Sequence, residues 1–108
     1  MYGLVVRFEL RDGHEAAFDR LTAETVEQIE AQEPDTLVYV AHQVDGTPRL
    51  RVFYELYRDE PAFQEHEAQP HVRRFLAHRD QHLVGPPEVT FVRPSPGVVR
   101  GEVPFGGS

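Results

Sequence analysis

At 108 residues the chain suits a single domain, since most domains run to about 100–150 residues. Its formal net charge of −7 argues against nucleic acid and anionic membranes as partners, because both select a basic surface. It contains no Cys and no Lys, which excludes disulfides, thiolate nucleophiles, Cys-ligated zinc and a Schiff-base lysine. The chain opens on clean alternation, with Tyr2, Leu4, Val6, Phe8 and Leu10 on one face and Gly3, Val5, Arg7 and Glu9 on the other, the pattern of a half-buried strand. This start is interrupted by charge and lacks a basic leader, so it does not read as a signal peptide. No apolar run nears the roughly 20 residues of a membrane helix, and a cytoplasmic protein is expected.

Asp12-Gly13 follows, and Asp12 with Glu15 three positions on resembles a capping box. The helix expected from about Gly13 to Gln32 sets Ala17, Phe18, Leu21, Thr25, Val26 and Ile29 along one stripe, with Glu24, Glu27 and Glu30 as a solvated face. Glu33-Pro34-Asp35 ends it, because proline disfavours helical geometry in the residue before it. Thr36 to Val44 reads as a second strand and Arg49 to Tyr57 as a third, joined through the turn Asp45-Gly46-Thr47-Pro48. The third strand is apolar on both faces, with Phe53, Glu55 and Tyr57 on one and Leu50, Val52, Tyr54 and Leu56 on the other. A strand of this kind should be covered on both sides.

Asp59 can cap a short helix that starts near Pro61, Gln69-Pro70 breaks it, and Pro70 can open a second helix running to about Leu83. Glu88 to Arg93 is expected as a fourth strand with Val89 and Phe91 inward. Residues 94–108 are a Pro- and Gly-rich tail that holds the only serines, Ser95 and Ser108, so a serine nucleophile within the domain is excluded. The VVRGEV stretch of that tail alternates weakly and could add to the edge of a partner's sheet. The order β-α-β-β-α-β, with its second helix broken, predicts an α+β ferredoxin-like unit over residues 1–93: a four-stranded antiparallel sheet with helices on one face. Its other face would be bare and apolar, and a second copy covering it gives a homodimer.

Chemistry concentrates between Arg51 and Phe75, where a carboxylate, a phenol and two imidazoles fall within seventeen residues as Glu55, Tyr57, His66 and His71. His66 and Phe63 share one side of the helix. The segment FYELYRDEPAFQEHEAQPHVRRF resembles the signature of the antibiotic biosynthesis monooxygenase (ABM) domain family. In that family a strand ending in Glu-x-Tyr leads to Asp, then Ala-Phe-x-x-His, then Pro-His; Glu55, Tyr57, Asp59, Ala62, Phe63, His66, Pro70 and His71 match. The resemblance implies a dimeric α+β barrel with a cavity in each subunit between sheet and helices. Relatives include quinol and polyketide-anthrone monooxygenases that need neither metal nor flavin, heme-degrading enzymes, and an isomerase of a phosphorylated signal compound. The heme-degrading branch uses an Asn-Trp-His set, which this chain cannot assemble because it has neither Trp nor Asn.

The expected activity is therefore a cofactor-independent monooxygenation of an aromatic, quinol or polyketide-like small molecule with O2, with no metal or other cofactor. His66, Glu55 and His71 are the candidate catalytic residues, His66 as the base and Glu55 as the group that orients it. Tyr57, Tyr39, Tyr54, Phe53, Phe63 and Phe75 are expected to bind substrate through rings and phenols, and Arg79 to hold an anionic intermediate. The same residues admit other readings: an isomerase that shuttles protons through His66 and Glu55, a non-catalytic binding dimer, or Glu55 and His66 satisfying each other beside the core. His71, His78 and His82 lie on one helical stripe with spacing that suits metal ligands, but no His-Glu-x-x-His motif or accompanying carboxylate supports a site, and an exposed histidine row is expected.

Overall fold

The computed structural model describes residues 1–101 and carries β1 (Tyr2–Glu9), α1 (Glu15–Gln32), β2 (Thr36–Val44), β3 (Thr47–Tyr57), α2 (Glu60–Ala68), α3 (Pro70–Arg79) and β4 (Glu88–Val92). The four strands form one antiparallel sheet in the order β2-β3-β1-β4, with the three helices on one face, which is the ferredoxin-like arrangement. Alternation on β1 is obeyed: Leu4, Val6 and Phe8 are buried beneath the helices, while Arg7 and Glu9 are exposed on the other side. Pairing β1 with β3 sets Leu4 opposite Glu55 and Val6 opposite Phe53, so both strands turn their helix-side residues into one core. Gly46 closes the β2–β3 hairpin at φ 75°, a left-handed conformation that glycine adopts without a Cβ clash.

The centre of the core is aromatic. Phe8 lies 4.8 Å from Phe53 and 5.3 Å from Phe18 between ring centroids, in tilted and edge-on contacts. Tyr57, Phe8, Phe18, Phe53 and Leu10 are the largest fully buried side chains, each Phe contributing about 1.5–3 kcal/mol of burial. The α1 stripe shifts slightly from the expected one: Thr22 is buried where Ala17 is exposed.

Asp59 caps α2 by accepting a 2.9 Å hydrogen bond from the Ala62 amide, with Pro61 in the first turn. Asp59→Ala should therefore cost about 1 kcal/mol in a denaturant titration, the usual worth of such a cap. An unchanged midpoint would show that the proline and the packed helix face suffice without it.

Several boundaries differ from the sequence reading, each for a visible reason. Asp12 does not cap α1. Gly13, at φ 83°, turns the chain so that the His14 amide donates to the Arg11 carbonyl, and the helix starts at Glu15 with His14 as its cap residue. α3 stops at Arg79 and tightens into a 3-10 turn at Asp80–His82, because Leu83 must leave helical geometry to bridge Leu10 at the end of the sheet. β3 starts at Thr47 and β4 ends at Val92. Val89 and Phe91 point to the helical side as expected, yet remain 47% and 57% exposed, since β4 is an edge strand that no helix covers.

On the helix-free face, Val5, Val40, Val52 and Tyr54 are half-buried in the single chain. Among the described residues no helix is long and apolar enough to cross a membrane. In the tail, residues 98–101 form no strand and Val98 and Val99 are exposed; the remainder of the VVRGEV stretch lies outside the described residues.

Candidate functional site

Period-two alternation on β3 delivers Phe53, Glu55 and Tyr57 to the helix-covered face, where all three are buried. α2 brings Phe63 and His66 over that face, and α3 brings Phe75 and Arg79. Between them lies a cavity of about 290 Å³ lined by Tyr39, Glu55, Phe63, His66, Phe75 and Arg79, with Leu4, Val6 and Phe8 of β1 also in its walls. Its size sits at the lower end for small-molecule sites, and its apolar walls with a few convergent polar groups are typical of them. A larger hollow of about 480 Å³ runs between α1 and the β2 edge, but its one buried charge, Arg51, is already tied to both carboxylate oxygens of Asp19. The buried carboxyl and imidazole, Glu55 and His66, line the smaller cavity.

The expected residues separate into layers. Glu55, His66, Tyr39, Phe63, Phe75 and Arg79 line the cavity. Phe53 and Tyr57 lie just beneath: Phe53 is wholly buried against Tyr39 and Phe75, and the Tyr57 hydroxyl donates to Glu55 Oε1 at 2.5 Å. Tyr54 faces the opposite side of the sheet, because its odd neighbours on β3 take the helix side. His71 does not line the cavity; its Nε2 points to Glu33. The histidine stripe also disperses, His71 bonding Glu33, His82 meeting His14 through Nδ1 at 3.0 Å and His78 staying exposed. Among the described residues no group of three or more His, Asp or Glu side chains is arranged to hold a metal ion.

Glu55 is not the hydrogen-bond partner of His66. That role falls to Glu33, at the C-terminal end of α1, whose Oε1 accepts from His66 Nδ1 and from the Thr36 hydroxyl, both at 2.7 Å. Its Oε2 accepts from His71 Nε2, so one carboxylate ties α1 to both halves of the broken helix. Burial alone would raise the Glu33 carboxyl, but the hydrogen bonds from His66, Thr36 and His71 outweigh it and hold the group below the usual carboxylate range. An ionised Glu33 can only accept, so the Nδ1 of His66 carries a proton and donates to it. The sequence reading missed Glu33. One signal was available: an acidic side chain at the negative end of a helix is unfavourable unless something compensates it.

Burial shifts the remaining polar groups in and beneath the wall. Burial pushes the Glu55 carboxyl upward, opposed in part by the Tyr57 hydrogen bond and by the charges of His66 and Arg79. Burial, and then the neighbouring Glu55, push the Tyr57 and Tyr39 phenols well above their ordinary value, so both stay protonated near neutrality. His66 is enclosed by rings, with Tyr57 at 5.0 Å, Tyr39 at 5.5 Å and Phe63 at 6.5 Å. An imidazole whose Nδ1 is fixed as a donor, beside buried protonated phenols and a carboxyl shifted upward by burial, can take a proton from a bound molecule and return it elsewhere.

A family profile described as "Antibiotic biosynthesis monooxygenase" matches residues 1–78. Three solved structures of similar fold are Rv0793 from Mycobacterium tuberculosis (22% identity, TM-score 0.83, covering 91% of this chain and 98% of that one), a protein described as an antibiotic biosynthesis monooxygenase (24%, 0.80, 89% and 100%), and PA3566 from Pseudomonas aeruginosa (22%, 0.78, 88% and 94%). No curated protein matches the sequence.

Proposed function

The chain belongs to the antibiotic biosynthesis monooxygenase family, and on that footing we propose that it is a cofactor-independent monooxygenase of an aromatic, quinol or polyketide-like small molecule. The observation that carries this reading is the Glu33–His66 pair at the wall of an apolar cavity, which commits His66 Nδ1 to Glu33 and leaves Nε2 as the ring nitrogen available to a substrate. His66 removes a proton from an acidic C–H or O–H of the bound substrate, giving an electron-rich anion. That anion passes one electron to O2, and the resulting radical pair joins to form a C–O bond and a hydroperoxide after protonation. At a methylene carbon, loss of water from the hydroperoxide leaves a carbonyl, so that CH2 plus O2 becomes C=O plus H2O. Glu55, whose carboxyl burial pushes upward, supplies the proton that the departing oxygen needs. Exclusion of water by the aromatic walls protects the anion from simple reprotonation.

Oxygen uptake by chelator-treated protein, with an anthrone and a naphthoquinol offered in turn, tests this directly. Consumption of one O2 per carbonyl formed from the anthrone is the expected result; turnover of either compound without O2 uptake sinks the oxygenase reading. The raised Glu55 carboxyl also suits a second reading, an isomerase in which His66 takes a proton and Glu55 returns one at another carbon. Such an enzyme would exchange substrate hydrogen with deuterated solvent under nitrogen.

The reading includes a homodimer. Val5, Val40, Val52 and Tyr54 place apolar surface on the sheet face that the helices leave open, and a second copy related by a two-fold axis would cover it. Light scattering should give twice the 12.4 kDa chain mass. Val52→Asp, which sets a carboxylate in the middle of that face, should return the protein to one chain per particle. A wild-type monomer at micromolar concentration would remove the dimer from the proposal.

A further inference from the structure

We infer that the molecule bound in this cavity carries an anionic oxygen group, such as a carboxylate, and that Arg79 holds it. The inference rests on the cavity being the substrate site, as proposed above. Arg79 lines the cavity from the last turn of α3, and its guanidinium carbon stands 5.7 Å from the centroid of the Phe8 ring. Contact with a ring face fixes the plane of the cation without consuming any of its N–H donors. Its Nε is buried and has no hydrogen-bond partner among the described residues. The acidic side chain nearest to it, Asp80, is 76% exposed and lies 3.7 Å away, beyond hydrogen-bond length.

Arg51 supplies the contrast within the same chain. Its Nε and Nη2 meet the two oxygens of Asp19, and its Nη1 meets the carbonyls of Pro48 and Leu50. Where an arginine serves only to join α1 to β3, the fold gives each nitrogen an acceptor. Arg79 receives no such treatment, although Glu55 lines the same hollow. Glu55 accepts from Tyr57 instead. The other carboxylate in the lining, Glu67, is exposed to solvent and so offers no buried counter-charge. A planar carboxylate of the ligand matches the fork of a guanidinium that no protein carboxylate holds at hydrogen-bond length.

Calorimetric titration with 2-naphthoate and its neutral isostere 2-naphthamide tests the assignment. The carboxylate should bind about tenfold more tightly, the margin between a charge-assisted and a neutral hydrogen bond. In Arg79→Gln the two should bind alike, through loss of naphthoate affinity alone, while Arg79→Lys should keep part of the preference. Equal affinities in the wild type, or a preference that survives Arg79→Gln, would overturn the inference and leave the cavity assignment standing. Leu76, on α3, also lines the cavity, and Leu76→Trp, which fills that space while leaving the charge in place, separates the two ideas: it should abolish binding of both compounds, and undiminished binding would place the site elsewhere. Failure of both probes to bind wild-type protein at millimolar concentration counts against both.

Discussion

His66→Gln should lower kcat for oxygen uptake by about 100- to 10,000-fold, the range that one positioned acid–base side chain supplies. The substitution is chosen because a glutamine amide can still donate to Glu33 Oε1, as His66 Nδ1 does, and can fill most of the space between Tyr57 and Phe63. It cannot accept a proton. The fold should survive, and circular dichroism together with binding of an inert aromatic would verify that. KM should move little, because affinity is supplied by the apolar walls and not by the base. The rise of kcat/KM with pH that a histidine base imposes should vanish from the variant's profile. Wild-type rates in His66→Gln would take the imidazole out of the mechanism. Glu55, the other buried carboxyl or imidazole in the lining, would then be the remaining base, its proton affinity increased by burial.

Most of the scaffold was legible because its signals are local. The alternation from Tyr2, the Asp59 cap and the Pro70 break each depend on neighbours a few residues away and occur as read, while the turn read as Asp45 to Pro48 tightens to Asp45-Gly46. Boundaries failed where a distant partner decided them. Leu83 leaves α3 because Leu10 needs it, and Gly13 moves the start of α1 past the apparent cap. The grouping of Glu55, His66 and Phe63 followed from strand and helix period, but the identity of the hydrogen-bond partner did not. Glu33 is separated from His66 by 33 residues and from His71 by 38, and no linear pattern connects them. Only packing α1 against the end of β2 carries that carboxylate beneath the broken helix. Tyr54 shows the converse: its face was read correctly from alternation, while its chemistry was assigned to a cavity on the other side of the sheet.

Glu33→Ala should destabilise the protein by about 3–5 kcal/mol, the usual cost of breaking a buried charged network by deleting one member. His66, His71 and the Thr36 hydroxyl would each lose an acceptor, and no other carboxylate bonds to them. For a domain of this size that corresponds to a fall of at least about 12 °C in Tm. A Tm within two or three degrees of wild type would show that aromatic packing alone holds α2 and α3 to the sheet. Glu33→Gln separates charge from packing, since the amide keeps one acceptor for His66 and Thr36 and can donate to a His71 that changes tautomer. The sign of the pH effect follows from the direction of the Glu33 shift. Its folded-state pKa lies below the ordinary value of 4.5, so its stabilisation is complete above that pH and is lost as pH falls through the folded-state value. Wild-type stability should therefore decline through that acid range, and the Glu33→Gln curve should be flatter there. Glu33→Ala should also lose oxygen uptake near neutral pH, because nothing would then hold His66 Nδ1 as a donor, whereas Glu33→Gln keeps the acceptor and removes only the charge. A Glu33→Gln protein that is stable but slow would place the orienting role on the carboxylate's charge, whereas one that is stable and fully active would reduce Glu33 to a structural tie between α1 and the broken helix.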